Sequence, residues 1–192
     1  MAMVANPRGA ATTGSPSGAP ALAHAWRPPA PPEHLIVKLA LALGAESRGG
    51  PLSAGEEDYL AQARSVPDPP AALVDQMRAS ILAGDDPLGE LLCQMRPATV
   101  RRQQGAFYTP PTLVGAMLEW LLAQQPDSIV DPGCGSGRFA VTAARLQPFL
   151  PVVALDSDPV ATIMTRAGLA VVGARAACVR QGDYLTDDLL PG

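Results

Sequence analysis

The sequence has very little lysine, cysteine or aromatic content. Lys38 stands against thirteen arginines and the formal net charge is −4. A stand-alone nucleic-acid-binding domain usually carries a basic face, so this balance argues against that class. Cys93, Cys134 and Cys178 form no CxxC pair. Their odd count and spacing argue against a disulfide framework or a zinc site, and they predict a reducing, cytoplasmic setting.

Long apolar runs are also missing. No stretch approaches the ~20 residues that a membrane span needs, and Met1 is not followed by the apolar centre of a signal peptide. The sequence therefore predicts a protein without a membrane partner. Residues 1–32 are rich in proline, alanine, glycine and serine, which predicts a disordered tail.

Residues 33–100 have a helical pattern instead. The segment EHLIVKLALALG predicts a helix that stops at a glycine, and Ser53 with Glu56 predicts a capping box at the start of the next helix. Asp68-Pro69 and Asp86-Pro87 are each predicted to start a helix, because proline suits the first helical turn. This stretch is predicted to be a helical lead-in region.

Residues 101–192 alternate strand-like and helix-like segments. DSIVD, PVVALD and AACVRQGD have the pattern of short buried strands, and two helical patterns lie between them. Strands that alternate with helices predict an α/β fold with about three parallel strands. Ahead of the first strand, Thr109 is predicted to cap a helix whose first residue is Pro110. The predicted apolar stripe of that helix consists of Val114, Met117, Leu118, Leu121 and Leu122.

The strongest chemical signal is VDPGCGSGRF, residues 130–139. The first predicted strand ends at Asp131, and Gly133, Gly135 and Gly137 follow before the next helix. Such a loop lets backbone N–H groups approach a ligand, with a helix N-terminus behind them. On its own, a glycine-rich turn does not distinguish among the many nucleotide-binding folds.

Acidic residues also end the next two predicted strands. Asp156 follows the second strand, where a carboxylate can accept hydrogen bonds from ribose hydroxyls, while Asp158 with Pro159 is predicted to cap the next helix. Asp183 follows the third strand. The three carboxylates of Asp131, Asp156 and Asp183 are therefore predicted to gather at the carboxyl edge of one parallel sheet, where open α/β folds bind ligands.

These motifs carry a family resemblance. DPGCGSGRF resembles the methyl-donor motif of class I S-adenosylmethionine-dependent methyltransferases, in the form found in adenine-specific DNA methyltransferases. GAFYTPPTLV, just upstream, resembles the segment with which those enzymes close over the methionine end of the cofactor. Over about residues 86–189 the chain is similar to modification subunits of type I systems and to single-chain restriction-modification methylases.

The resemblance implies a Rossmann-like class I methyltransferase sheet with S-adenosyl-L-methionine as cofactor. It implies methyl transfer to the N6 amine of adenine in double-stranded DNA, with specificity or nuclease subunits as candidate partners. The implied cofactor-binding set is Phe107, Tyr108, Thr109, Pro110, Asp131, Gly133, Gly135, Gly137, Asp156 and Asp183. The first four would cover the methionine chain, Asp131 would hold the amino group directly or through water, and the glycines would admit the carboxylate and sugar. Asp156 would hold the ribose and Asp183 the adenine amine.

The base-binding motif of that family, [N/D]-P-P-[Y/F/W], does not follow Asp183 in this sequence, so we expect the catalytic motif beyond Gly192. Residues 101–192 are accordingly predicted to be the cofactor-binding half of a methyltransferase domain, truncated before that motif and inactive alone. No catalytic residue and no metal are assigned.

Two alternatives stay open. One is a methyltransferase of RNA or of protein glutamine, and the other is a non-catalytic S-adenosylmethionine-binding remnant or subunit. An NAD-dependent dehydrogenase would have no use for the aromatic turn or for Asp183.

Overall fold

The computed structural model of the protein describes residues 26–96 and 109–187. Helices dominate the first of these ranges, with a 3₁₀ turn at Ala45–Ser47 between the first two helices. Their bounds are Pro32–Ala42 (α1), Ala54–Arg64 (α2), Ala71–Ala83 (α3) and Pro87–Met95 (α4). None of the described helices is both long enough and apolar enough to cross a membrane.

Two of the predicted helix starts are confirmed by their hydrogen bonds. Ser53 Oγ accepts from Glu56 N at 3.1 Å while Ser53 N donates to Glu56 Oε2 at 2.8 Å, which is the predicted capping box. Asp86 caps α4 by accepting from Gly89 N at 2.9 Å, and Pro87 occupies the first helical position.

Two other predicted helix starts are wrong, and the reason is the same in both. α3 begins at Ala71 after Pro70 rather than at Asp68-Pro69. The helix predicted to begin at Pro110 spans Pro111–Ala123 (α5), with Pro110 rather than Thr109 at the N-cap position. A residue before a proline is pushed out of the helical region, so Pro70 keeps Pro69 out of α3 and Pro111 keeps Pro110 out of α5.

The second range contains a three-stranded sheet. Its strands are Ile129–Pro132 (β1), Val152–Asp156 (β2) and Ala177–Gln181 (β3). Arg138–Leu146 (α6) joins the first pair of strands and Pro159–Val171 (α7) joins the second. The order is β1-β2-β3, and both pairings are parallel. The predicted α/β fold is thereby confirmed, with β2 in the centre.

α7 lies between the helical region and the sheet. The larger core cluster combines Ile163 and Met164 of α7 with Ile36 of α1, Leu73 of α3 and other buried side chains of the first four helices. Trp26, which lies within the predicted tail, packs against the same core. The two predicted regions therefore share this cluster through α7, and the boundary between them near residue 100 stays a prediction.

The stripe predicted on α5 is narrower than expected. Val114 and Leu118 are buried in the second core cluster, beside β1 and α6, whereas 48% of Met117 is exposed. Leu121 and Leu122 are half-buried. Within the described residues α5 packs on one side only, mainly against α6, which leaves the Met117 side of the stripe exposed.

A buried ion pair connects α2 of the helical region to α7 of the sheet region. Arg166 of α7 donates from Nε to Glu56 Oε1 at 2.6 Å, and both side chains are 1% exposed. The other guanidinium hydrogens reach the second Glu56 oxygen and the backbone carbonyls of Arg48, Gly50, Pro51 and Val179. These carbonyls hold the loop at residues 48–51 against β3, where Val179 N donates to Gly49 O at 2.8 Å.

Candidate functional site

The loops after β1, β2 and β3 lie at one edge of the sheet. Asp131 lies in the last half of β1, Asp156 ends β2, and Asp183 follows the end of β3 by two residues. Because β2 is central, Asp156 lies on the strand between the other two. The structure thus brings the three predicted carboxylates to the same end of three adjacent strands.

The glycine loop is held tightly on β2. Gly133 N and Cys134 N both donate to Leu155 O, at 2.7 and 2.8 Å, and Gly135 N donates to Asp156 Oδ2 at 2.8 Å. Cys134 points into the core, where its side chain is buried. The loop is therefore ordered by bonds to its neighbouring strand before any ligand is considered.

The three glycines of this loop differ in what surrounds them. All have positive φ, but a Cβ added at Gly133 or at Gly135 would meet no atom within 4 Å. A Cβ at Gly137 would lie 2.8 Å from Thr165 Oγ1 and 3.0 Å from Thr165 Cα. Gly133 and Gly135 therefore face open space that a ligand can enter, whereas Gly137 is needed for close packing of α6 on α7.

This difference gives a stability prediction. Gly137→Ala adds a backbone collision to an unfavourable φ and is expected to destabilise the fold by about 2–4 kcal/mol. Gly133→Ala has the φ penalty without the collision, so it is expected to cost only about 1–2 kcal/mol. Urea unfolding of both variants checks the ranking. Equal losses would mean that Thr165 moves aside freely.

Asp131 is the most perturbed carboxyl group of the site. Its pKa is raised to about 6, chiefly because it is buried and partly because Asp156 is nearby, although a hydrogen bond from Ala140 N opposes this. That bond, from Ala140 N to Asp131 Oδ2, is 3.1 Å long. At neutral pH Asp131 is a partly buried anion held at a cost in free energy, and a cation beside it would relieve that cost.

Asp156 keeps acceptor capacity although both of its oxygens are already used. Oδ2 accepts from Gly135 N at 2.8 Å and Oδ1 accepts from Asp158 N at 2.9 Å. Each carboxylate oxygen has a second lone pair, so a ligand hydroxyl can still donate to Asp156. Asp158 caps α7 through Val160 N at 2.9 Å, as predicted.

The remaining predicted residues are less defined. Asp183 is exposed, and its Oδ1 accepts from Leu185 N at 2.9 Å within a local turn. Thr109 is half-buried and Pro110 is exposed just before α5. Phe107 and Tyr108 lie outside the described residues. Contact with a ligand stays a prediction for these residues, as it does for Asp131, Asp156 and the three glycines.

The catalytic motif that we expected beyond Gly192 is not placed by the structure. Gly192 itself lies outside the described residues, whose second range ends at residue 187. The described strand ends therefore form a candidate cofactor site, and the location of the catalytic motif stays a prediction.

Two side chains next to the glycine loop were missed by the sequence analysis. Ser136 Oγ and Arg138 Nη2 both donate to Asp86 Oδ2, at 2.5 and 3.1 Å. The residues lie about fifty positions apart in the chain, so no local pattern could have paired them. No metal cluster was predicted, and no group of three or more His, Cys, Asp or Glu side chains with suitable geometry occurs in the described ranges.

Comparison with known proteins gives a family match and three relatives. The N-6 DNA Methylase family profile matches residues 87–183, half of the 192-residue chain. The chain is 45% identical over 89 residues to "Type II methyltransferase M.XamI" of Xanthomonas campestris pv. amaranthicola, covering 45% of this chain and 17% of that protein. It is 36% identical over 91 residues to "Type I restriction enzyme MjaIX methylase subunit" of Methanocaldococcus jannaschii, covering 44% and 15% respectively.

A third relative is a "Probable cobalt-precorrin-6B C(15)-methyltransferase (decarboxylating)" of Methanosarcina acetivorans, 32% identical over 75 residues, which are 39% of this chain and 41% of that protein. No solved structure gives a significant match. The chain thus spans less than a fifth of the two restriction-modification relatives and less than half of the third. The family match extends from the first turn of α4 through the glycine loop to Asp183. The chain belongs to the N-6 DNA methylase family.

Proposed function

We propose that this chain binds S-adenosyl-L-methionine and forms the donor-binding part of a restriction-modification enzyme that methylates the N6 amine of adenine in double-stranded DNA. The family match and the names of two relatives support the enzyme class. The observation that carries the cofactor assignment is Asp131. It is a partly buried carboxylate with a raised pKa, beside a glycine bend that faces open space.

The residues present fit this cofactor. The ammonium group of its methionine moiety is the kind of cation that Asp131 favours. Gly133 and Gly135 leave room for its carboxylate near backbone N–H groups. Asp156 has free lone pairs for ribose hydroxyls, and Asp183 is exposed at the next strand end for the adenine amine. When bound, the cofactor supplies an electrophilic methyl group on a sulfonium.

The other parts of the proposal rest on the family resemblance. Phe107 and Tyr108, with Thr109 and Pro110, would cover the methionine chain, and Gly137, which packs against Thr165, belongs to the proposed cofactor-binding set on the resemblance alone. One relative is named a methylase subunit, which supports further subunits that specify the DNA sequence or cut it. Such an enzyme would act in the cytoplasm, where its DNA is.

Titration calorimetry with S-adenosylmethionine between pH 5 and pH 7 tests the cofactor assignment. We expect a Kd that is constant above pH 6.5 and that rises toward tenfold per pH unit below about 6, where free Asp131 is protonated. The ligand's amine stays charged throughout this range. NAD under the same conditions is the negative control. A folded sample that gives no heat, or a Kd that is independent of pH, would contradict the assignment.

The substrate is tested separately in the source organism. Deleting the gene is expected to remove N6-methyladenine from one short DNA sequence throughout the genome, as read by single-molecule sequencing. Restoring the gene should restore the mark. An unchanged adenine methylation map would reject the DNA-adenine assignment while leaving the donor-binding result intact, because calorimetry does not depend on the acceptor.

A further inference from the structure

α4 contacts the loops after β1 and β2 with its two ends. Its N-cap residue, Asp86, bonds to side chains of the glycine loop and of the first turn of α6. Arg96, which directly follows α4, bonds to Asp158 in the turn after β2. A single helix of the lead-in region therefore reaches both loops that carry the proposed donor-binding groups.

The Asp86 carboxylate is mostly buried and accepts several hydrogen bonds. Oδ1 accepts from Gly89 N at 2.9 Å, while Oδ2 accepts from Ser136 Oγ and from Arg138 Nη2 at 3.1 Å. The side chains of Asp86 and Arg138 are each 11% exposed. Hydrogen bonds to a charged, mostly buried carboxylate are stronger and shorter than those between neutral groups. The contact therefore fixes the position of Ser136, which lies between Gly135 and Gly137 in the glycine loop.

Gly89 is part of the same contact. A Cβ at this position would collide with the Asp86 carboxylate and would lie 2.5 Å from Ser136 Oγ. Packing therefore requires a glycine at this position of the D-P-L-G segment. Without a side chain, α4 can approach the loop closely enough for Asp86 to bond to Ser136.

At the other end, Arg96 acts through Asp158. Arg96 Nη1 donates to Asp158 Oδ2 at 2.8 Å, and Arg96 Nε donates to Glu33 Oε1 at 3.2 Å. Asp158 N in turn donates to Asp156 Oδ1 at 2.9 Å. Arg96 therefore fixes the residue that orients the proposed ribose-binding carboxylate.

We propose that α4 is a positioning element for the methyl donor, in which Asp86 sets the glycine loop and Arg96 sets the Asp156 turn. This inference rests on the proposed donor site. Neither residue is assigned a contact with the donor. Their effect is to hold both loops in the binding geometry before the ligand arrives, which lowers the entropy cost of binding.

Calorimetry with S-adenosylmethionine on the whole chain tests the proposal. Asp86→Asn keeps an oxygen for Gly89 N but removes the charge, and Ser136→Ala removes one hydroxyl. Each is expected to weaken binding about 5- to 20-fold, as for the loss of one charge-assisted hydrogen bond that is only partly coupled to binding. Gln94→Ala, at an exposed position of the same helix, is the matched control and should leave the Kd unchanged.

Double variants and amide hydrogen exchange separate positioning from general stability. Asp86→Asn and Ser136→Ala weaken the same contact, so the effect of the double variant on Kd should fall well short of the product of the two single effects. In the double variant Asp86→Asn with Arg96→Gln, the change in Kd should approach the product of the two single changes, because the two residues act on different loops. Exchange at residues 133–137 should rise in Asp86→Asn, and exchange at residues 156–158 should rise in Arg96→Gln.

The outcomes are distinct. If Asp86→Asn and Ser136→Ala both bind S-adenosylmethionine with the wild-type Kd, the positioning role is overturned, even if their melting temperatures fall. If Asp86→Asn does not fold, Ser136→Ala decides the matter, since it deletes only one hydroxyl. A wild-type chain that binds no S-adenosylmethionine overturns the proposed function, and the positioning role fails with it.

Discussion

Asp131→Asn is expected to make the protein more stable and to weaken S-adenosylmethionine binding about 100-fold, as for truncation of one partner of a buried charge pair. The pKa of Asp131 is raised from 3.8 to about 6, so holding the anion at pH 7 costs about 3 kcal/mol. Asparagine removes that charge and keeps an oxygen for Ala140 N. After allowance for a weaker hydrogen bond, we expect the melting temperature to rise by about 3–6 °C.

The sign of this effect depends on pH. Between 3.8 and about 6 the folded state binds a proton that the unfolded state has released, so the stability of the wild type falls as pH rises through this window. The advantage of Asp131→Asn should therefore be largest above pH 6 and should narrow toward pH 4. Thermal scans at several pH values check this, with Asp127→Asn as the exposed control. A variant that is less stable at pH 7.5 would show that Asp131 is a structural anion.

Glu56→Ala is expected to cause the largest loss of stability, about 3–5 kcal/mol, because it leaves the Arg166 guanidinium buried without its counter-charge. Glu56 also forms one side of the capping box of α2, so the variant affects two structures at once. Since α7 carries Arg166 and packs against both the helices and the sheet, we expect the loss to appear as one cooperative transition.

Denaturant unfolding with a matched surface pair checks this magnitude. Glu46→Ala breaks the ion pair between Arg64 and Glu46, whose side chains are 57% and 43% exposed. Exposed pairs of this kind contribute less than about 1 kcal/mol. Similar losses for Glu56→Ala and Glu46→Ala would show that the buried pair is dispensable. A second transition in Glu56→Ala would show instead that the helical region unfolds alone.

Local patterns predicted the local features well. Strand-like segments that alternate with helix-like segments indicated the three parallel strands. The capping residues Ser53, Asp86 and Asp158 were recognisable from short-range rules. Asp156 ends β2 as predicted, whereas β1 runs one residue past its predicted end at Asp131, to Pro132. The two helix starts that differ from the prediction both follow doubled prolines, because the second proline disfavours the helical conformation at the first.

Long-range contacts could not be predicted in this way. Nothing near Asp86 indicates that its second oxygen bonds to Ser136, and nothing near Arg166 indicates a partner at Glu56. The packing role of Gly137 was also hidden, because three glycines at alternate positions look alike until Thr165 is placed beside one of them. Burial decides the pKa of Asp131, and burial is a property of the assembled fold.

The two sides of the sheet differ in their readiness to accept another strand. On the outer side of β3, the Val179 N–H is already taken by Gly49 O, in a loop whose carbonyls are held by Arg166. Among the described residues, β1 pairs with β2 alone. Within the described ranges, an added strand would therefore meet a loop that already bonds to the outer side of β3, and no neighbouring strand on the outer side of β1.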